Sequence, residues 1–343
     1  MKQLFDMKLF HTFLTGLIRA FFCFACLYGA ASHATGVNDA TVNVDPPAFK
    51  HAKTNLLDIA YLEYGPQDGA PILLYHGWPD SPYAWKTVAP ALARHGYRVL
   101  VPTLRGFGET RFLSAKTPRS GQATALAQDV IDFADALHIN RFTLVGHDWG
   151  AGFTYHVAAQ WPLRVENLVT ISVAYQTGNK IENLQADQVR AFWYQWLFQS
   201  PQAKSVLTVN RQAICRELWQ TIMPADHFDE KEFLLAAPFW DNPDWIDVTL
   251  SHYNLRWLVG TADPQYEKLD IAAGLKPKIS VPTILIYGKQ DGGALPATIV
   301  GDQKNFSGSY EQVLLPGIGH FVTHEDPNAV VDVILRSKKA AIH

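Results

Sequence analysis

Short apolar runs alternate with amphipathic stretches along most of the chain from about Ala48 onward. The apolar runs lack polar alternation, as is typical of parallel strands that are covered on both faces. Four of these runs lie in the first half of the chain, at 71–75, 97–101, 142–145 and 165–173. Segments with helical periodicity separate them, at 84–95, 124–137 and 150–161. This alternation predicts a right-handed, doubly wound α/β domain with a mostly parallel sheet, and the segment 55–64 suits antiparallel strands at its edge.

The alternation is interrupted between residues 175 and 276. That segment is rich in aromatic side chains at helical spacing, as in Phe192–Phe198, and contains no convincing parallel strand. The alternation then resumes with strands at 282–287 and 311–315, a helix near Thr298–Phe306 between them, and a closing helix over 327–339. We therefore predict one α/β domain, formed by 35–174 and 277–343, into which a helical cap of residues 175–276 is inserted.

The first 34 residues differ in composition from the rest of the chain. Basic side chains at Lys2, Lys8 and Arg19 precede an apolar run over 20–31, and small residues follow within 32–34. This order is typical of a cleaved secretory signal peptide, so we predict a signal over 1–34 and export to a periplasm or beyond. The apolar run is shorter than the roughly 20 residues of a membrane-spanning helix. We expect no stable membrane anchor after signal removal, with an uncleaved anchor as the alternative.

Composition narrows the classes of partner. Of the 343 residues, 48% are hydrophobic and 18% charged, with a formal net charge of −3 and no run of Lys or Arg. A nucleic acid or an anionic membrane surface would need a basic patch, so we expect a small, neutral or weakly polar molecule instead. Cys23 and Cys26 would leave with the signal peptide. Cys215 would then be the only thiol of the mature chain, and we expect it to serve packing.

A strand that runs into a glycine-rich turn carries the first candidate for chemistry. The turn reads Gly146-His147-Asp148-Trp149-Gly150, and its Gly-x-Asp-x-Gly spacing is that of the Gly-x-Ser-x-Gly nucleophile elbow. Such a turn holds its apex side chain in the cleft at the carboxyl edge of a parallel sheet. Asp148 is therefore a candidate nucleophile, although an Asp in front of a helix also serves as a helix cap.

Two further residues follow strands in the chain order that this elbow requires. Asp291 follows the strand at 282–287, and His320 lies in a glycine-rich loop after the last strand. Each would be an ordinary loop residue if it stood alone. Together, the order of nucleophile, acid and histidine favours a catalytic triad of Asp148, Asp291 and His320.

Another strand ends in the turn His-Gly-Trp-Pro at 76–79. We expect the backbone N–H groups of Trp78 and Trp149 to lie side by side and form an oxyanion hole. A carboxylate with a usual pKa of about 3.9 is ionised near neutral pH. It can displace a leaving group from an sp³ carbon without a base to activate it. Water activated by His320 would then hydrolyse the resulting alkyl ester of Asp148.

With these motifs the chain resembles the α/β-hydrolase superfamily, from about residue 50 to the end. More narrowly, the turn at 76–79, the elbow at 146–150 and Gly319-His320-Phe321 resemble the epoxide hydrolase and haloalkane dehalogenase branch, whose nucleophile is an aspartate. The resemblance implies the α/β-hydrolase fold and a mechanism through an alkyl-enzyme ester.

The cap extends the resemblance. Residues 194–201 read Tyr-Gln-Trp-Leu-Phe-Gln-Ser-Pro and resemble the epoxide hydrolase segment Tyr-Gln-x-x-Phe-Gln-x-Pro, whose leading tyrosine is a ring-opening acid. Residues 251–257 resemble the late-cap segment that carries the second tyrosine. The resemblance implies that Tyr194 and Tyr253 hydrogen-bond the epoxide oxygen opposite Asp148, whereas tyrosines in an aromatic cap otherwise serve packing.

Two alternative functions stay open. Dehalogenases bind the halide with the Trp that follows the nucleophile and with a second N–H donor, either an Asn after the His-Gly pair or a Trp of the cap. Trp149 is present, Trp78 stands where the Asn would be needed, and Trp193 or Trp196 could substitute. The second alternative is an α/β hydrolase that binds a ligand without turnover, although all three triad residues remain in this chain.

Metal and cofactor sites are not expected. His320 and His324 stand four residues apart, but no further cluster of metal ligands accompanies them. No strand is followed by a Gly-x-Gly-x-x-Gly nucleotide motif. Taken together, the predicted signal peptide, the triad and the resemblance of the cap segments imply an exported, cofactor-independent epoxide hydrolase. It would combine a small apolar epoxide with water to give a vicinal diol.

Overall fold

A computed structural model describes residues 46–175 and 184–340 of the chain. The predicted signal peptide at 1–34 lies outside the described residues. Within the described ranges, no helix is both long enough and apolar enough to cross a membrane.

In the described residues, nine strands form a single sheet. They are β1 (Lys50–Lys53), β2 (Leu57–Tyr64), β3 (Pro71–Tyr75), β4 (Arg98–Pro102), β5 (Arg111–Phe112), β6 (Phe142–His147), β7 (Val165–Ile171), β8 (Thr283–Gly288) and β9 (Tyr310–Leu315). The strand order is β1-β2-β4-β3-β6-β7-β8-β9, and β5 pairs with β2 at one end. In this spatial order every neighbouring pair from β4 through β3 to β9 is parallel, whereas β2 is antiparallel to β1, β4 and β5. The predicted mostly parallel α/β fold with antiparallel edge strands is confirmed.

Helices cover both faces of this sheet. They are α1 (Val88–Arg94), α2 (Ala123–Ala136), α3 (Trp149–Gln160), α10 (Val322–Glu325) and α11 (Pro327–Ala340). Alternate residues of β3 enter different cores: Leu73 packs on the side of α2 and α3, whereas Ile72 and Leu74 pack on the side of α1 and α11. A strand that is apolar on both faces is buried in this way, which explains why its sequence shows no polar alternation.

A helical segment connects β7 to β8. Its helices are α4 (Ala186–Ala191), α5 (Trp193–Phe198), α6 (Ala203–Ile222), α7 (Glu230–Ala236), α8 (Trp245–Arg256) and α9 (Glu267–Gly274). Its aromatic side chains pack onto Trp78 of the core, whose ring centroid lies 5.6 Å from that of Tyr194 and 5.9 Å from that of Trp245. Cys215 is fully buried on α6, and burial raises the pKa of its thiol. The domain boundaries at 34, 174 and 276 remain predictions.

Two predicted helices differ from the structure. The expected helix near Thr298–Phe306 is wrong, because the chain forms two 3-10 turns, Pro296–Ile299 and Asp302–Asn305. Gly301 separates them with a left-handed φ of 76°, which breaks a helix. The predicted helix at 84–95 instead begins with a 3-10 turn, Pro82–Trp85, before α1 starts.

Candidate active site

Asp148 is the only residue between β6 and α3. Its backbone has φ 52° and ψ −113°, a conformation that side chains rarely adopt. The flanking glycines make the turn possible, because a Cβ on Gly146 would lie 2.3 Å from the carbonyl of Gly150. A Cβ on Gly150 would lie 2.4 Å from the carbonyl oxygen of Tyr75. Strain of this kind persists only where the surrounding structure enforces it, and here it turns the Asp148 side chain away from the helix.

The Asp148 carboxylate points into the cleft and makes no capping hydrogen bond to α3. One oxygen, Oδ1, accepts a hydrogen bond of 2.7 Å from the backbone N–H of Trp78. The other oxygen, Oδ2, lies 3.5 Å from Nε2 of His320. Gly77 permits this close approach, since a Cβ there would lie 2.4 Å from the Cβ of Asp148. The capping alternative for Asp148 therefore finds no support in the geometry.

The expected oxyanion hole lies at the same carboxylate. Trp78 already donates its N–H to Asp148. Trp149 is the first residue of α3, where backbone N–H groups have no partner within the helix. The Trp78 amide thus contacts Oδ1, the oxygen that becomes the carbonyl oxygen if Oδ2 forms an ester, and the Trp149 amide follows Asp148 directly in the chain.

His320 is oriented by Asp291. Its Nδ1 lies 2.8 Å from Oδ2 of Asp291. The second carboxylate oxygen of Asp291 accepts hydrogen bonds from the N–H groups of Gly293 at 2.8 Å and Ala294 at 3.0 Å. Because the Asp291 carboxylate accepts a hydrogen bond from Nδ1–H, Nε2 is the nitrogen presented to Asp148. The structure therefore brings the three predicted triad residues together, at two strand exits and one elbow.

The charges of this triad set its protonation. Burial lowers the pKa of His320, but the carboxylates of Asp291 and Asp148 outweigh it and raise the pKa to about 10. Burial raises the pKa of Asp148, yet the hydrogen bond and charge of His320 outweigh that effect and lower it. At neutral pH the resting site is accordingly an ionised Asp148 carboxylate beside a His320 imidazolium.

The backbone of His320 is held from several directions that the sequence did not reveal. Its carbonyl oxygen accepts hydrogen bonds from Oγ of Ser172 at 2.6 Å and from Nε2 of His147 at 2.9 Å. Its N–H donates to the carbonyl of Ile222 at 3.1 Å. The same Ile222 carbonyl, at the end of α6, accepts the N–H of Gly292 at 3.2 Å, next to Asp291. One carbonyl of the cap therefore holds both the acid loop and the histidine loop.

Glu325 is a second feature that sequence reasoning missed. Its side chain is completely buried, and its two oxygens accept the N–H groups of Gly319 at 2.7 Å and Phe321 at 3.0 Å, the neighbours of His320. Nδ1 of His227 in the cap lies 2.7 Å from the same carboxylate. A carboxylate five residues after the catalytic histidine was the only available signal, and it did not reveal these backbone contacts.

Tyr194 and Tyr253 face the nucleophile from the cap. Tyr194 on α5 and Tyr253 on α8 are buried, with ring centroids 5.5 Å apart. Nε2 of Gln195 donates to the Tyr194 hydroxyl at 2.9 Å, and the indole of Trp149 donates to the Tyr253 hydroxyl at 3.1 Å. Burial and the charge of Asp148 raise the pKa of Tyr194, so its hydroxyl keeps its proton and can donate it.

Three of the four Trp indoles considered for a halide site, those of Trp149, Trp78 and Trp196, are already engaged. The Trp149 indole donates to Tyr253, as noted, and the Trp78 indole donates to Oγ1 of Thr249 at 3.1 Å. The Trp196 indole donates to the carbonyl of Val189 at 2.7 Å. Indoles that already donate to protein oxygens are poor candidates for binding a released halide.

The candidate catalytic side chains line a cavity of about 30 Å³. Asp148, His320, Tyr194 and Tyr253 all line it, among mainly apolar and aromatic side chains. Among residues 46–175 and 184–340, no group of three or more His, Cys, Asp or Glu side chains could hold a metal ion. His324 instead pairs with Asp80 at 2.9 Å.

The chain is similar to known proteins over most of its length. Residues 70–327 match the family model described as the alpha/beta hydrolase fold. The chain is 28% identical to Epoxide hydrolase A of Mycobacterium tuberculosis, over 84% of this chain and 96% of that protein. It is 26% identical to an epoxide hydrolase of Caballeronia sordidicola, over 82% of this chain and 91% of that protein. A crystal structure from Klebsiella pneumoniae, of a protein proposed to be an epoxide hydrolase, superposes with a TM-score of 0.80 at 38% identity, over 85% of this chain and 97% of that one.

Proposed function

This chain belongs to the α/β-hydrolase family, and we propose that it acts within that family as an epoxide hydrolase. It would add water to an apolar epoxide and release a vicinal diol, without a cofactor. One observation carries the proposal: two buried tyrosines, Tyr194 and Tyr253, line the same cavity as the Asp148 carboxylate. The relatives named epoxide hydrolase support the same activity at modest identity.

In the first step, Oδ2 of Asp148 attacks one carbon of the oxirane, and the bond from that carbon to the ring oxygen breaks. Trp78 engages Oδ1 at 2.7 Å, which leaves Oδ2 as the attacking atom. The ring oxygen would otherwise leave as an alkoxide, and a tyrosine proton neutralises it. The products of this step are a hydroxyalkyl ester of Asp148 and one tyrosinate, Tyr194 or Tyr253.

The second step begins with a change in His320. The neutral ester no longer contributes the Asp148 charge that raised the pKa of His320. The pKa of His320 therefore falls, and its Nε2 proton returns to the tyrosinate by way of solvent. The resting imidazolium thus becomes a base only after the ester has formed.

Neutral His320 then takes a proton from water, and the hydroxide attacks the carbonyl carbon of the Asp148 ester. The oxyanion of the tetrahedral intermediate accepts hydrogen bonds from the N–H groups of Trp78 and Trp149. Collapse of the intermediate breaks the bond between the carbonyl carbon and the alkyl oxygen, and the proton left on the added hydroxyl group passes to that oxygen, which releases the diol. Asp148 is again a carboxylate and His320 again an imidazolium, so atoms and charge balance over the cycle.

Trapping the ester tests the proposal. His320→Gln keeps the nucleophile and the tyrosines but lacks the base, so incubation with styrene oxide should leave a covalent adduct on the peptide that contains Asp148. Intact-mass and peptide spectra measure it, and the double variant with Asp148→Asn is the matched control. An adduct from a bromoalkane but not from the epoxide would support the dehalogenase alternative. Absence of an adduct from both would favour ligand binding without turnover.

We also propose that residues 1–34 direct export, because basic residues, an apolar run and small residues follow one another there. Expression of the full chain in a Gram-negative host should yield a periplasmic or secreted protein whose N-terminus begins near residue 35. N-terminal sequencing of the exported protein measures this. An intact N-terminus in the cytoplasmic fraction would contradict the export proposal and leave the enzymatic one unchanged.

A further inference from the structure

Two cavities of very different size meet at the nucleophile. The cavity that holds the tyrosines and His320 has a volume of about 30 Å³, and a neighbouring cavity has about 530 Å³. Among residues 46–175 and 184–340, five line both: Asp148, Trp149, Val173, His252 and Arg256. The two cavities therefore adjoin each other at the nucleophile.

The small cavity has room for little more than the reacting ring. A cavity needs about 10–15 Å³ on this measure to hold one water molecule, so 30 Å³ accommodates roughly two groups of that size. Leu218, Ile222 and Phe192 line the small cavity and are not part of the lining of the large one. A second bulky substituent on the oxirane would collide with these side chains.

The large cavity has the volume of an ordinary small-molecule site, which is about 300–1,000 Å³. Val173, Leu255 and Ala273 give it apolar walls, and its far end includes exposed Leu258 and Lys276. It therefore offers an extended path from the nucleophile toward the surface of the protein.

Gly152 keeps the wall beside the nucleophile open. It lies in the first turn of α3, and its N–H donates to the carbonyl of Asp148 at 2.9 Å. A Cβ built on Gly152 would meet no atom within 4 Å, and the residue lines the large cavity. Neither crowding nor a left-handed backbone requires glycine here, although glycine is unfavourable within a helix. Its place on the cavity wall supplies a reason for it.

We propose that the substrate is a terminal epoxide with one extended, mainly apolar substituent, and that Gly152 determines this specificity. The oxirane and its unsubstituted carbon occupy the small cavity, and the substituent passes Gly152 into the large cavity. The inference rests on the proposed epoxide hydrolase activity and names its substrate class.

A pair of isomers tests the asymmetry. 1-Decene oxide carries one long substituent, whereas 5-decene oxide has the same formula with a four-carbon arm on each ring carbon. We expect kcat/KM for the terminal isomer to exceed that for the internal isomer by at least about tenfold, the usual scale of steric discrimination in a pocket. Equal values would overturn the inference.

A side chain at position 152 tests the path itself. Gly152→Phe should lower kcat/KM for 1-decene oxide by about tenfold or more, while that for 1-butene oxide changes by less than about twofold. Ala115→Phe adds the same side chain at an exposed turn that lines neither cavity, so it is the matched control and should leave both values unchanged. Thermal unfolding checks that the Phe variant folds, and Gly152→Leu replaces it if it does not. Equal losses for both epoxides would contradict the role of Gly152.

The two proposals fail in different ways. A wild-type enzyme that hydrolyses 1-butene oxide but not 1-decene oxide would overturn the substrate class and leave the proposed activity standing. An enzyme that hydrolyses neither, and forms no adduct in the His320→Gln variant, would contradict the activity and this inference with it.

Discussion

The two sides of the cavity hold their reactive groups by different means. On the core side the backbone fixes them: Asp148 sits in a constrained turn, and both the N–H and the carbonyl of His320 are hydrogen-bonded. On the cap side Tyr194 and Tyr253 depend on ring packing and on side-chain donors such as Gln195. A group fixed by backbone keeps its position when neighbouring side chains vary, whereas a group held by side chains follows them. We therefore expect the core side to define the reaction and the cap side to adapt it to a substrate.

The largest effect should come from Asp148→Asn. Loss of the ionised nucleophile should lower kcat by at least about 10⁴-fold, because no neighbouring group can replace the covalent step. The pKa of His320 should also fall below about 10, since the charge that helps to raise it is gone. Steady-state rates and NMR titration of His320 measure the two effects. Asp332→Asn, on the exposed side of α11, is the control and should leave both unchanged.

On the cap side, Tyr194→Phe and Tyr253→Phe together should lower the rate of epoxide opening by about 10²–10⁴-fold, the range expected for loss of a general acid. The rings remain, but the buried donors of Gln195 and Trp149 lose their acceptors, so the melting temperature should fall while the fold is kept. Rapid-mixing measurements of ester formation test this, with Tyr97→Phe as the control, since Tyr97 does not line the catalytic cavity. Full activity of the double variant would refute the acid role and leave the two tyrosines as packing residues.

An intermediate effect is expected from Glu325→Gln. The amide group replaces one acceptor oxygen, so one N–H beside His320 loses its partner and the imidazole shifts. Small displacements of a catalytic group cost up to about 10²-fold, so we expect kcat to fall by about 10–100-fold while KM stays nearly constant. The exposed Glu311→Gln on β9 provides the control. A change confined to KM would show that Glu325 acts on substrate binding.

The smallest effect concerns stability against pH. Burial lowers the pKa of His320, but Asp291 and Asp148 outweigh it and raise the pKa to about 10 in the folded state. Burial also lowers the pKa of His324, but Asp80 and Glu232 raise it to about 9. Both histidines bind protons more tightly in the folded state, so their contribution is complete below the unfolded pKa of about 6.5. It is lost as pH rises toward 10.

Urea unfolding at about pH 7 and about pH 9.5 should therefore show a lower free energy of unfolding at the higher pH. His324→Gln should reduce this difference, because one of the two raised groups is removed. A free energy of unfolding that increases with pH over this interval would contradict the assignment of both histidines as protonated.

Sequence patterns predicted the core side well. The apolar runs predicted the parallel strands, since strands buried on both faces have no polar alternation. Strand exits then located the turn of Asp148 and the loops of Asp291 and His320, because the carboxyl ends of parallel strands meet at one edge. Positions that depend on strand order and glycine spacing can be derived from a single chain.

Other features could not be derived in this way. The predicted helix near Thr298–Phe306 fails because a single left-handed Gly301 divides the segment. Ser172 contacts the backbone of His320, which is far away in the sequence. Glu325 contacts the backbone on both sides of His320 without belonging to a known motif. No local sequence pattern predicts either contact. Tyr194 and Tyr253 were proposed from resemblance, and only the packing of α5 against α8 places them opposite Asp148. The missing side chain of Gly152 matters because of a cavity, which periodicity does not describe.

The carbonyl of Ile222 has a consequence for how such enzymes can be recombined. Ile222 is the last residue of α6, yet its carbonyl accepts hydrogen bonds from the N–H groups of His320 and of Gly292, the residue after Asp291. A chimera that exchanges the whole segment between β7 and β8 would also replace this anchor for the catalytic loops. A functional graft from another family member should therefore join the donor sequence after position 222 or reproduce the end of α6. New substrate preferences are best sought in α5 and α8, where exchange leaves that anchor untouched.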